Sequence, residues 1–367
     1  MSRKWTARAA AGFVSLAALG AFATSPTPPT PPAAGISFVD VERFATLPDN
    51  VRFPEGIAAN PATGDIFVAT FDFGPVSNKL VRLDRNGNVS AILDFGATPL
   101  LGLEYRAGKV YILNFGAGSL QRVDANFTAS TVPVTLATLP VVGSPGSRSE
   151  ANPDTSSDTV TFGSTGKQAP NGMVFDHDGN AYISDSFQGA IFEVPNAATC
   201  SPCTILMVSH DPLLATAGTP PFGANGLALS PDEGTMYIAN TGDHRVLAMD
   251  MTTASHPVSV YSISLFGADG LLMNDGTLWV ATNQADQVVA LDSNGRIAVK
   301  AGEFLGVDAG GTPHGLLFPA SLVVVNGWMY VTNLALPLTS PPPARLSSDE
   351  PEDFVKHWTI SRFRVPH

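Results

Sequence analysis

Cysteine is almost missing from this chain: 367 residues contain two, Cys200 and Cys203, in the run Cys-Ser-Pro-Cys. There is no second pair to complete a four-ligand zinc centre. The strand-to-helix setting of a redox dithiol is also absent. In an exported protein the pair reads as a small disulfide pinning a surface turn. Charge is scarce as well. Only 14% of residues are Asp, Glu, Lys or Arg, and 20 basic against 32 acidic side chains leave a formal net charge of −12. That balance excludes the clustered Lys and Arg with which proteins hold nucleic-acid phosphates. Long apolar runs are lacking too. The longest, residues 9–23 (AAAGFVSLAALGAFA), falls short of the roughly 20 residues of a membrane span.

Glycine and proline, by contrast, are abundant, at 34 and 30, beside 44% hydrophobic residues. This composition argues against a coiled coil, a mainly helical fold or a disordered chain. It fits many short strands joined by tight turns. The N-terminus has three parts: basic residues 1–8 (MSRKWTAR), the apolar run, and Ala21-Phe22-Ala23, which resembles a cleavage site. This pattern predicts a secretory signal over 1–23 and a secreted or periplasmic protein with no membrane span after cleavage. Residues 24–35 read as a Pro/Thr-rich linker, and 36–367 as one folded domain.

An internal repeat organises that domain. A small or Pro residue, a polar residue and Gly open each unit, and an apolar–aromatic strand follows a turn later. The clear copies are Pro54-Glu55-Gly56, Pro170-Asn171-Gly172, Ala224-Asn225-Gly226 and Ala268-Asp269-Gly270. Degenerate copies begin at Leu101-Gly102 and Pro319-Ala320-Ser321. The steps between units are 44 to 54 residues, with one of 70. A period of about 40–50 residues is that of a four-stranded propeller blade. Six units predict an all-β, six-bladed propeller. The last unit lacks its outermost strand, so residues 37–47 (SFVDVERFATL) are expected to complete it and close the ring.

Innermost strands of a propeller run along the axis, so the residues that open them converge at one mouth of the channel. In order these are Glu55, Leu101, Asn171, Asn225, Asp269 and Ala320. Glu55 and Asp269 would repel across a narrow channel without a cation. With the amide oxygens of Asn171 and Asn225 they form a hard donor set, which suits calcium first and magnesium, manganese or zinc less well.

Those four residues, in their order on the first, third, fourth and fifth units, resemble the metal ligands of the SMP-30/gluconolactonase/LRE-like propellers. The set is especially similar to that of diisopropylfluorophosphatases and paraoxonases. The resemblance spans roughly residues 50–335. It implies a catalytic calcium and hydrolysis of a small-molecule lactone, ester or phosphotriester, with Asp269 as base or nucleophile. The chain departs from relatives at Gly270, where paraoxonases carry a further Asn, and no clear equivalent of the gluconolactonases' sugar-acid-binding Arg is present. A rival reading is a non-catalytic propeller that binds a ligand or protein partner over a structural calcium.

Other residues are expected near the same mouth. His314 and His210 lie in segments 303–318 and 209–224 and are candidates for proton transfer or oxyanion donation, His314 as a catalytic group and His210 as a substrate contact. Asn114 and Asp185 end second strands and are candidate substrate contacts, while Phe115 and Phe187 offer an apolar rim. The polar insert 141–168 accounts for the long step and is expected to be either a lid or a mobile loop.

Overall fold

A computed structural model describes residues 35–162, 166–338 and 350–366. The proposed signal segment and nearly all of the linker lie outside these residues. Six sheets, each built on four antiparallel strands, form six blades. Their innermost strands are Pro54–Ala59, Leu100–Arg106, Pro170–Phe175, Ala224–Leu229, Ala268–Asn274 and Pro319–Val325. Each packs against the next, and the last against the first, so the ring is closed. Apolar side chains fill the space between neighbouring blades: Phe67, Leu80 and Ile112 in one interface, Tyr111, Ile183 and Phe192 in another.

The repeat motif has a geometric cause. All six innermost strands break register over their second and third residues, as between Pro54 and Ile57 or Ala268 and Leu271. A bulge there lifts the polar residue out of the ladder and re-aims its side chain. The glycine that follows sits where the ring is tightest. A Cβ on Gly172 would lie 2.2 Å from the Asn225 carbonyl oxygen, and one on Gly226 would lie 2.3 Å from that of Asp269.

Closure uses the N-terminal segment in two pieces instead of one. Glu42–Thr46 pairs antiparallel with Thr359–Arg364 and completes the last blade as expected. Ser37–Val39 turns away and pairs parallel with the outer strand of the fifth blade, as its fifth strand. The segment therefore binds two adjacent blades together.

Within the 141–168 insert, Ser147–Ala151 pairs with Ser157–Thr161 as a hairpin. It is tied down: Arg148 donates to the carbonyls of Pro212 and Ala215 at 3.0 and 3.1 Å and to Asp243 Oδ2 at 2.6 Å. A second hairpin joins Phe304–Val307 to Pro313–Gly315. Cys200 and Cys203 are disulfide-bonded to one another in the turn before the outer strand of the third blade. Among the described residues no helix is long and apolar enough to cross a membrane.

Candidate metal centre

Glu55, Asn171, Asn225 and Asp269 meet at the axis, each buried, and line one cavity of about 30 Å3. That volume holds an ion and a water or two. Leu101, which opens the second blade, lines the same cavity without offering a ligand, and Ala320 is buried beside it.

Hydroxyl groups from neighbouring strands set the amide orientations. Ser186 Oγ donates to the Ala224 carbonyl at 2.6 Å and accepts from Asn171 Nδ2 at 2.9 Å. Thr241 Oγ1 donates to the Ala268 carbonyl at 2.7 Å and accepts from Asn225 Nδ2 at 2.9 Å. A hydroxyl has a single proton to give. Once that proton is committed to a carbonyl, the hydroxyl can only accept from the amide, so each Asn must turn its NH2 outward. The fifth blade substitutes Asn283 for the hydroxyl, and its Nδ2 donates to Asp269 Oδ2 at 3.0 Å.

What remains are acceptors without donors. Glu55 Oε2, Asn171 Oδ1 and Asp269 Oδ1 are buried and have no hydrogen-bond partner. Buried polar atoms in native structures are nearly all satisfied. Three orphaned oxygens on the motif residues of one cavity, two of them from carboxylates, fit a hard divalent cation. Among the described residues no group of three or more His, Cys, Asp and Glu side chains could hold a metal, so such a centre relies on amide oxygens to extend its two carboxylates. Electrostatics make the same demand. Burial, and then the charge of Asp269, pushes the Glu55 pKa well above the ordinary carboxylate value. Burial lifts Asp269 to about 7, against the opposing hydrogen bond of Asn283.

Above this polar floor the cavity wall is apolar, built by Phe71, Pro220, Phe222, Phe318, Leu334 and Leu336. Phe115 and Phe187 back the wall. They pack with Phe71, Phe73 and Phe222 in one cluster, with ring centroids from 4.7 to 6.5 Å apart.

Four other candidates stand away from the cavity. His314 is on the second hairpin, half exposed, with Nε2 3.4 Å from Asp308 Oδ2. His210 ends an outer strand, with Nε2 3.1 Å from the Gln188 carbonyl oxygen. Asn114 accepts from the Ala117 N–H at 3.0 Å and donates to Gln121 Oε1 at 3.1 Å. Asp185 accepts from the N–H groups of Ala169, Phe187 and Gln188 and from Gln188 Nε2. Side chains at that strand position curl back into the following turn, so Asn114 and Asp185 lock turns and do not line the cavity.

The residue one place further on is the one that faces the axis. Ser186, Thr241 and Asn283 follow Asp185, Asn240 and Thr282, and aligning the second strands on Ile183, Ile238 and Val280 reveals this series in the sequence alone. Counting strand-end polar residues without that alignment places Asn283 among turn residues. Phe222, Phe318, Pro220, Leu334 and Leu336 carry no such signal, because they arrive from loops of different length.

Fold and site together define a six-bladed propeller with an oxygen-lined axial centre. A family model described as "SMP-30/Gluconolactonase/LRE-like region" matches residues 165–301, the third to fifth blades, which carry Asn171, Asn225 and Asp269. The resemblance to this family drawn from the motifs is therefore borne out over those residues. Among solved structures, a calcium-binding regucalcin of Agrobacterium tumefaciens is 16% identical over 89% of this chain and 95% of its own, with a TM-score of 0.56. A gluconolactonase of Xanthomonas campestris is 15% identical over 88% of each chain, with a TM-score of 0.53. A luciferin-regenerating enzyme is 14% identical over 86% of this chain and 92% of its own, with a TM-score of 0.56. At such identities the likeness is one of fold. No curated protein gives a significant match.

Proposed function

We propose that this protein is an exported, calcium-dependent hydrolase of uncharged lactones or esters. The observation that carries the reading is the set of orphaned acceptors, Glu55 Oε2, Asn171 Oδ1 and Asp269 Oδ1, at the floor of one apolar-walled cavity. Glu55, Asn171, Asn225 and Asp269 would hold the ion. When bound, calcium supplies a Lewis acid for a substrate carbonyl or phosphoryl oxygen. Relatives named as a calcium-binding regucalcin and a gluconolactonase support both halves of the reading.

The chain's own residues supply the rest. Asp269 Oδ2 is held by Asn283 and Oδ1 has no protein partner, so the fixed carboxylate would face the ion and would take a proton from an attacking water or, as nucleophile, displace the alcohol or phenol of an ester. Phe71, Phe222 and Phe318 exclude bulk water and receive the apolar part of the substrate. Aromatic walls with a few convergent polar groups are typical of small-molecule sites. A phosphotriester offers the same kind of polarised oxygen.

The test is metal analysis of the purified protein with a panel of lactones, aryl esters and a phosphotriester, for wild type and Asp269→Asn. Calcium-dependent turnover, lost in Asp269→Asn, is the expected result. Full rate in that variant overturns the mechanism. A bound cation with no turnover on any substrate favours a ligand-binding propeller. Export is supported by the three-part segment 1–23. Sequencing the N-terminus of protein recovered outside the cytoplasm checks it, with cleavage after Ala23 expected.

A further inference from the structure

Asn283 does more than open a turn. Its side chain is 2% exposed, and its amide nitrogen donates to Asp269 Oδ2 at 3.0 Å. No hydroxyl serves Asp269 as Ser186 serves Asn171 and Thr241 serves Asn225. The fifth blade thus needs a donor at this position, because its motif residue is a carboxylate with no proton to give when ionised.

Asn283 is itself wedged in place. Its Oδ1 is buried without a partner and lies against Gly267, where an added Cβ would fall 1.7 Å from it. Its backbone N–H donates to the Gly267 carbonyl at 2.9 Å. The single turn it opens, Asn283–Ala285, also reaches two walls of the cavity. Gln284 Nε2 donates to the Thr219 carbonyl at 3.2 Å, next to Pro220. Asp286 Oδ1 accepts from the Phe318 N–H at 2.7 Å. One turn therefore sets the Asp269 carboxylate and the apolar wall above it in a common frame.

We propose that Asn283 is a positioning residue that pins Asp269 Oδ2 and so presents Asp269 Oδ1 to the axial cavity, in a place that the absent side chain of Gly267 leaves open to its amide. This inference rests on the cation-binding reading above. Partners that orient a ligating carboxylate typically govern about 10- to 100-fold in metal affinity or activity.

The experiment measures calcium affinity by calorimetry, and melting temperature with and without calcium, for wild type, Asn283→Ala, Gly267→Ala and Gly276→Ala. Gly267 and Gly276 both have positive φ, +64° and +76°, but a Cβ on Gly276 meets nothing within 4 Å. Gly276→Ala thus carries the backbone strain without the displacement. Asn283→Ala and Gly267→Ala are expected to weaken calcium binding by about 10-fold or more and to shrink the calcium-induced rise in melting temperature, while Gly276→Ala keeps both. Where wild type turns over substrate, Asn283→Ala should lower kcat more than it raises KM. Unchanged calcium affinity in Asn283→Ala overturns the proposal, as does an equal fall in melting temperature with and without calcium. If Asn283→Ala fails to fold, Gly267→Ala decides on the same criteria. A wild type that binds no calcium defeats the functional reading itself, a result distinct from a wild type that binds it and an Asn283→Ala that binds it equally well.

Discussion

The hydroxyl of Thr332 donates to the main-chain carbonyl of Glu55 at 2.8 Å, across 277 positions of sequence. It also accepts from the Ser321 N–H at 3.0 Å. Ser184 makes the equivalent pair of bonds in the third blade, accepting from the Gly172 N–H at 2.8 Å and donating to the Asn225 carbonyl at 2.6 Å. The last blade therefore grips the residue that opens the first, and the same contact closes the ring and seats a candidate ligand. Thr332→Val leaves the buried Glu55 carbonyl without its donor and should cost about 1–3 kcal/mol of stability. Denaturant titration checks this, with a weaker calcium-induced stabilisation as the second expected change.

Glu55 and Asp269 predict an unusual dependence of stability on pH. An acid whose pKa is raised on folding keeps its proton in the native state after the unfolded chain has lost it. Asp269 moves from 3.8 to about 7, so without calcium stability should fall as pH rises through that interval, and Glu55 acts in the same direction. Calcium takes the ionised form and should restore stability at the upper end. Thermal melts at pH 5 and pH 8, in chelator and in calcium, test this. Chelated protein at least as stable at pH 8 as at pH 5 contradicts it.

The inner ring should tolerate no side chain at its glycines. Gly172→Ala and Gly226→Ala each drive a methyl group into a backbone carbonyl that cannot retreat, since it belongs to the next blade. A loss of about 3 kcal/mol or more is expected, at the upper end for overpacked cores. Gly276→Ala, which meets nothing within 4 Å, serves as the comparison in the same denaturation series.

The apolar wall predicts substrate preference. Phe222 lines the cavity and packs on Phe187 with ring centroids 5.5 Å apart. Phe222→Ala should raise KM for an aryl ester by about tenfold or more, as expected for a lost buried aromatic contact, and leave kcat little changed. A small polar lactone should show a much weaker effect. Equal losses on both substrates would mean that the ring supports the fold and not the bound group.

The hairpin that interrupts the second and third blades should depend on Arg148. Three bonds from its guanidinium hold it to Pro212, Ala215 and Asp243. Arg148→Ala is expected to expose the 152–156 turn to limited proteolysis while calcium binding persists.

Much of this molecule was legible before any coordinate. The spacing of Glu55, Asn171, Asn225 and Asp269 encodes both the blade count and the axial set, because a propeller repeats one contact at one radius. The aromatic strands and Gly-containing turns announce their blades for the same reason. Less legible were features that depend on two units at once. The split of 37–47 into strands on separate blades follows from two open edges lying within reach of one short segment. His314 and His210 belong to segments assigned to the right end of the ring, yet the first sits on a hairpin and the second at the end of an outer strand, both away from the axial cavity.

The sequence by itself determined the period, the closed ring and the four oxygen-bearing residues that open inner strands, since these are local patterns repeated at fixed intervals. Only the tertiary structure decided which of those oxygens are free. Whether Asp269 presents one oxygen or two depends on Asn283, Gly267 and the tightness of the ring between them. A hydrogen bond between residues on adjacent strands is settled by distances of tenths of an ångström, and no one-dimensional pattern records those.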